Sequence, residues 1–193
     1  FPRWQEDYAF LLAARDLPAW GLPATAQTTM RLLRMLAAVH GQIWNGSEIG
    51  RSLGLSYHTV NAYVDFLEGA FLVRRLPAFH ANIRKRLAKS PKVFFRDSGV
   101  LHSLLGLRDT RALLNQPWVG ASWEGFVVEQ ALGLLRTLGH TFDAYYMRTN
   151  DGIEIDLVLE FAGKRWAIEV KLTSRPAPED LDRLTRAARL IRA

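Results

Sequence analysis

The sequence predicts a mixed α+β, or α/β, chain in two parts. A helical N-terminal half closes on a β-hairpin, and a C-terminal half carries a mixed sheet flanked by helices. Three observations point there. Residues 23–117 place apolar side chains at helical spacing, broken by Gly-rich turns, and then pass through two short β-prone runs. Residues 118–193 switch to period-two alternation in two consecutive segments, with helix-period segments on either side. The chain has 193 residues, 49% hydrophobic and 23% charged, enough to bury one large core or two small ones.

Arg3 to Arg15 reads as a helix with Trp4, Tyr8, Leu11 and Leu12 on one face and Leu17-Pro18 as its stop. Residues 1–22 are therefore expected to be a linker helix belonging to an absent upstream module. Phe1 is not a natural start, so it marks a cut or a disordered edge. Thr28 to Val39 is a second helix facing inward through Leu32, Leu33, Leu36 and Val39, with Gly41 behind it. After the Asn45-Gly46 turn, Ser47 can cap a short helix to Leu53. Ser56 caps a third helix to Glu68 beyond the Gly54-Leu55-Ser56 turn. Phe71–Leu76 and Val93–Arg96 read as paired strands. Two short helices about a tight turn, then a hairpin, match a helix-turn-helix with a wing, over residues 23–117. Tyr57, His58 and Asn61 lie at the end of the third helix that usually reaches base edges.

Charge supports that assignment. The net charge is +6, and no acid occurs between Glu68 and Asp97. That stretch holds Arg84, Lys85, Arg86, Lys89 and Lys92, expected to contact a polyanion such as DNA. A solvated basic loop is the competing reading, as a protein-docking hairpin is for the helices. The absence of cysteine excludes disulfides, thiolate zinc sites and cysteine nucleophiles. No apolar run reaches the roughly 18 residues of a membrane span, and no signal peptide is visible, which fits the cytoplasm.

In the second half, Gly120–Leu138 reads as a long helix and Phe142–Arg148 as a strand. Ile153–Phe161 alternates with Ile153, Ile155, Leu157, Leu159 and Phe161 on one face, and Glu154, Asp156, Val158 and Glu160 on the other. Arg165–Leu172 alternates with Trp166, Ile168, Val170 and Leu172 inward, and Pro178 opens a last helix. A two-residue turn at Ala162-Gly163 would set Asp156 opposite Glu169 and Glu154 opposite Lys171. Facing carboxylates repel unless a cation lies between them. Mg²⁺ is commonly held by one or two carboxylates plus water and phosphate. Lys171 could then activate a metal-bound water or stabilise a scissile phosphate. Glu124, on a helical stripe with Val128, Ala131 and Leu135, could complete the metal site with Asp156 and Glu169. Glu129 is expected near Arg136 or solvent. The plain alternative is surface decoration of an amphipathic hairpin.

The segment GIEIDLVLEFAGKRWAIEVKLTS resembles the core of the PD-(D/E)XK nuclease-like superfamily. From RWQEDY through SPKVFFRDSGVLHSLLG and VGASWEGFVVEQ to AIEVK, the chain resembles the C-terminal region of prokaryotic AAA+ ATPases that carry a domain of unknown function. That resemblance implies a winged helix followed by a restriction-endonuclease-like α/β core at residues 118–193, cut before its last strand. It matches Glu124 to the helix glutamate, Asp156 to the motif aspartate, and Glu169 with Lys171 to the E-x-K. It also implies an upstream ATPase module in the same polypeptide and leaves room for an oligomer. No phosphate-binding Gly-x4-Gly-Lys-Ser/Thr loop occurs, so this chain is expected to hold no ATP site. Three readings result: a metal-dependent DNA nuclease, a non-catalytic module that regulates a fused ATPase, and a transcription regulator using the helix-turn-helix alone.

Overall fold

A computed structural model describes residues 2–79 and 89–193, with side chains from residue 4 onward. It is a mixed α+β structure of two compact units, Phe1–Arg75 with Val93–Val119, and Leu76–Lys92 with Gly120–Ala193. Arg84, Lys85 and Arg86 lie outside the described residues. Among the described residues no helix is long and apolar enough to cross a membrane.

In the first unit, α1 (Pro2–Leu11) runs into a single π turn (Leu12–Asp16) and on into α2 (Leu17–Ala19). Pro18 was expected to stop this helix. Instead the helix runs on through it to Ala19, directly after the π turn, where the regular hydrogen-bond ladder is already shifted. The buried stripe is also not the expected one. Ala9, Leu12, Ala13 and Leu17 are buried, while Trp4 and Leu11 are exposed, because small alanines allow closer approach than the aromatic face. Leu12, Leu17 and Leu22 join the core cluster of the unit.

α3 (Ala26–Ala38) is capped by Thr25 and α4 (Gly46–Leu53) by Asn45, whose side chain accepts from Glu48 N at 3.2 Å. Asn45 takes the role expected of Ser47. α5 (Tyr57–Gly69) is capped by Ser56, as the sequence suggests. Between α4 and α5 the chain turns within hydrogen-bonding distance of itself, with Leu55 N donating to Gly50 O at 2.8 Å. Any Cβ on Gly50 would lie 2.7 Å from Leu55 O, so this turn requires glycine there. β1 (Val73–Leu76) and β2 (Lys92–Phe95) form a two-stranded sheet. The link between α3 and α4 adds to it, since Gly41 N donates to Val93 O and Val93 N to Gln42 O. Leu32, Leu36, Val60, Val64, Leu67 and Val93 are almost fully buried in the shared core. Two short helices follow, α6 (Ser98–Leu104) and α7 (Thr110–Leu114), capped by Asp97 and Asp109.

In the second unit, α8 (Val119–Thr137) precedes an antiparallel sheet of β3 (Phe142–Arg148), β4 (Glu154–Phe161) and β5 (Lys164–Ile168). α9 (Pro178–Ile191) follows. Ala78 bridges Tyr146 in parallel on the outer edge of β3, so the sheet is mixed there. Ala162 and Gly163 form the expected two-residue turn, both with positive φ (54° and 72°), and Phe161 pairs with Lys164. That register persists to Leu157 opposite Ile168.

The strict alternation expected of β4 is broken. Tyr145 pairs with Val158 but Met147 with Ile155, so Asp156 and Leu157 together oppose Tyr146. This bulge puts Ile155 and Val158 in the same cluster, with Met147, Ala187 and Ile191, although the alternation set them on opposite faces. On β5 the expected inward face is reversed as well. Trp166 is 47% exposed, whereas Ala167, paired with Val158, packs toward α9 through the small space its methyl leaves. On α8 the buried stripe is Gly125, Val128 and Leu132, and Glu129 is buried rather than near solvent.

Candidate functional site

The second unit has a cleft of about 500 Å³ at the open end of β4. Glu124 reaches it from α8, Glu154 and Asp156 from β4, Glu169 and Lys171 from the chain beyond β5, and Arg183 and Arg186 from α9. Each arrives for a local reason. The bulge at Asp156 interrupts the pairing with β3, which resumes at Ile155, and re-aims that side chain. β5 ends at Ile168, so Glu169 is not a ladder residue.

Asp156 therefore does not face Glu169 across a regular ladder. Its Oδ2 instead accepts from Val170 N at 2.8 Å, replacing the backbone carbonyl that a continued strand would supply. Nor does Glu154 meet Lys171. Lys171 Nζ donates to Glu169 Oε1 at 2.6 Å, and Glu154 pairs with Lys92 and, more loosely, Arg148.

The largest departure is Lys92, expected among the DNA-contacting cations. It is 3% exposed. Its Nζ lies 2.8 Å from Glu124 Oε1, 2.7 Å from Glu154 Oε1 and 4.0 Å from Asp156 Oδ1. A buried ammonium without partners would be costly. Burial works against the charge of Lys92, but Glu124 and Glu154 outweigh it and hold the ammonium above its ordinary value. Glu124 is pushed up to about 7, chiefly by burial and against the pull of Lys92. Burial also raises Asp156, partly countered by the Val170 N–H and Lys92, and raises Glu169 against its bond from Lys171. The Glu169 bond raises Lys171.

The expected trio Glu124, Asp156 and Glu169 lines one cleft but does not form one ligand set. Glu124 is turned to Lys92, and among the described residues no three acidic or histidine groups are arranged to hold a metal ion. What the donors fit is narrower. Asp156, which accepts the Val170 N–H, and Glu169, the neighbour of Val170 in sequence, are two carboxylates lining one cleft, the number by which Mg²⁺ is commonly held. Glu154 and Lys92 were not foreseen as partners here. The available signal was a lysine opening the apolar run Val93-Phe94-Phe95, where a buried cation must find acids.

In the first unit, Tyr57 and His58 are exposed at the start of α5, their rings 5.6 Å apart edge to face. Asn61 is already engaged. Its Oδ1 accepts from Trp44 Nε1 at 2.8 Å and its Nδ2 donates to Tyr57 O at 3.1 Å. The amide expected to read adenine is thus engaged at both ends, with Oδ1 tying α5 to the buried Trp44 and Nδ2 bonded within α5. Lys89 is exposed.

Comparison with known proteins fits this two-part layout. The family model for a domain of unknown function, DUF8612, matches residues 2–111, and that for another, DUF4143, matches residues 119–192. Uncharacterized proteins of Mycobacterium bovis and Mycobacterium tuberculosis are each 42% identical over 174 residues. Each alignment covers 90% of this chain but only 38% of the relative, so the chain spans well under half the length of these relatives. No solved structure is a significant match.

Proposed function

The chain belongs to the family of the domain of unknown function DUF8612, and from its two sites we propose that it is the DNA-handling, nuclease-like part of a larger prokaryotic ATPase. The observation that carries this reading is Asp156, Glu169 and Lys171 lining one cleft beside a helix glutamate. In this reading the second unit is a PD-(D/E)XK-like core. Asp156 and Glu169 would hold a Mg²⁺ ion, which would supply Lewis-acid chemistry to a bound phosphate. Lys171, fixed by Glu169, places positive charge against the phosphate undergoing cleavage. Arg183 and Arg186 on the cleft wall draw in the polyanion.

The first unit is the gripping element. The order α3, a sheet-pairing link, α4, α5, β1 and β2 follows winged helix-turn-helix proteins. Tyr57 and His58 then present the exposed polar end of α5 to the duplex, while Asn61 keeps that helix in place. In this reading an ATPase module of the same polypeptide supplies the motor.

Nicking of supercoiled plasmid in Mg²⁺, compared between the wild type and Glu169→Ala, tests the proposal. Cleavage should be lost in the variant and in chelator. Equal nicking by both proteins, or none by either, overturns the catalytic reading. One observation favours a second reading, that of a non-catalytic module regulating the fused ATPase: Lys92 already neutralises two of the acids of the cleft.

A further inference from the structure

We infer that Lys92 is the resident cation of the cleft, an internal competitor that must withdraw before a divalent ion can use Glu124 alongside Asp156. The inference rests on the proposed cation-binding role of the cleft. A single ammonium faces three carboxylates, at 2.8 Å from Glu124, 2.7 Å from Glu154 and 4.0 Å from Asp156. It therefore takes the lone pairs and the space that a third metal ligand would need. A metal ion bound between Glu124 and Asp156 would need the oxygen and the space that the Lys92 ammonium holds, so these two occupants compete for one position.

The geometry suits a reversible occupant. Lys92 is the first residue of β2, and its backbone is anchored independently of its charge. Tyr146 OH donates to Ser90 O at 2.5 Å, and its ring lies 5.5 Å from Nζ. Tyr146 itself is fixed by backbone bonds to Pro77 O and from Phe79 N. The four-carbon stem of a lysine can swing while that frame stays still, and its compact charge is readily rehydrated, unlike the planar fork of an arginine. The cleft thus has two states: Lys92 inserted with Glu124 closed to metal, or Lys92 withdrawn with Glu124 available.

The test uses the intact chain with Mg²⁺ and Mn²⁺ as the only ligands. Reductive methylation read by mass spectrometry should leave Lys92 protected in metal-free buffer while the exposed Lys89 and Lys164 react. Saturating Mg²⁺ should raise Lys92 labelling by at least about tenfold, and Lys92→Met should bind Mn²⁺ by calorimetry at least about tenfold more tightly than wild type. Equal Mn²⁺ affinity in both proteins, with Lys92 still protected at saturation, overturns the inference and leaves the cation-binding role intact. Binding by neither protein overturns both. If Lys92→Met does not fold, the labelling of the wild type decides.

Discussion

Glu124→Gln gives the sharpest test of the electrostatics in the cleft. The Glu124 side chain is 14% exposed and contacts Lys92 at 2.8 Å, yet burial still pushes its carboxyl from 4.5 up to about 7. At about 1.4 kcal/mol per pH unit, ionising it in the folded chain costs about 3 kcal/mol more than in the unfolded chain. The sign follows from which state loses its proton first. Below pH 4.5 both states hold the proton and the contribution of the group to stability is intact. Between 4.5 and about 7 the unfolded chain ionises first, so stability falls as pH rises, and the loss levels off above the folded value.

Glutamine mimics the protonated acid, offering Lys92 a carbonyl acceptor without the charge. Glu124→Gln should therefore match the wild type at pH 5. By pH 8.5 it should be the more stable protein, by up to about 3 kcal/mol. Urea denaturation of both proteins across that range, with midpoints and slopes fitted together, measures the difference directly. A variant less stable than wild type at pH 8.5 would show that the ion pair outweighs desolvation, and would refute the reasoning. Parallel stability curves from pH 5 to 8.5 would also refute it.

Two further outcomes follow from the first unit. Asn61→Ala removes the acceptor of the buried Trp44 Nε1 and should cost about 1–3 kcal/mol in chemical denaturation, whereas an equally stable variant would mean that the indole finds another acceptor. Gly50→Ala places a Cβ 2.7 Å from the Leu55 carbonyl and should lower stability by about 1–3 kcal/mol in thermal melts, whereas a thermally neutral variant would mean that the turn can open.

What could be read from the sequence depended on whether local pattern or tertiary contact sets each feature. The turn at Ala162-Gly163 set the β4–β5 register correctly, because a two-residue loop leaves one pairing that keeps the hairpin closed. Ser56 was legible as a cap for the same local reason. The bulge at Asp156 was not, because one extra residue leaves the alternation of its neighbours unchanged in the sequence while reversing their faces in space. That hidden residue moves Asp156 off the ladder, so its carboxylate meets the Val170 N–H instead of Glu169. Trp166 was assigned inward on hydrophobicity, but the face was decided by the methyl of Ala167, which lets α9 approach. Lys92 carries the same lesson for chemistry. Its place in an acid-free stretch made it look like a phosphate contact, yet the acids that claim it lie 32, 62 and 64 residues further along the chain, at Glu124, Glu154 and Asp156. A surplus of cations in one segment is thus partly a debt to carboxylates in another, and the part of it left at the surface can be counted only after such buried pairs are removed.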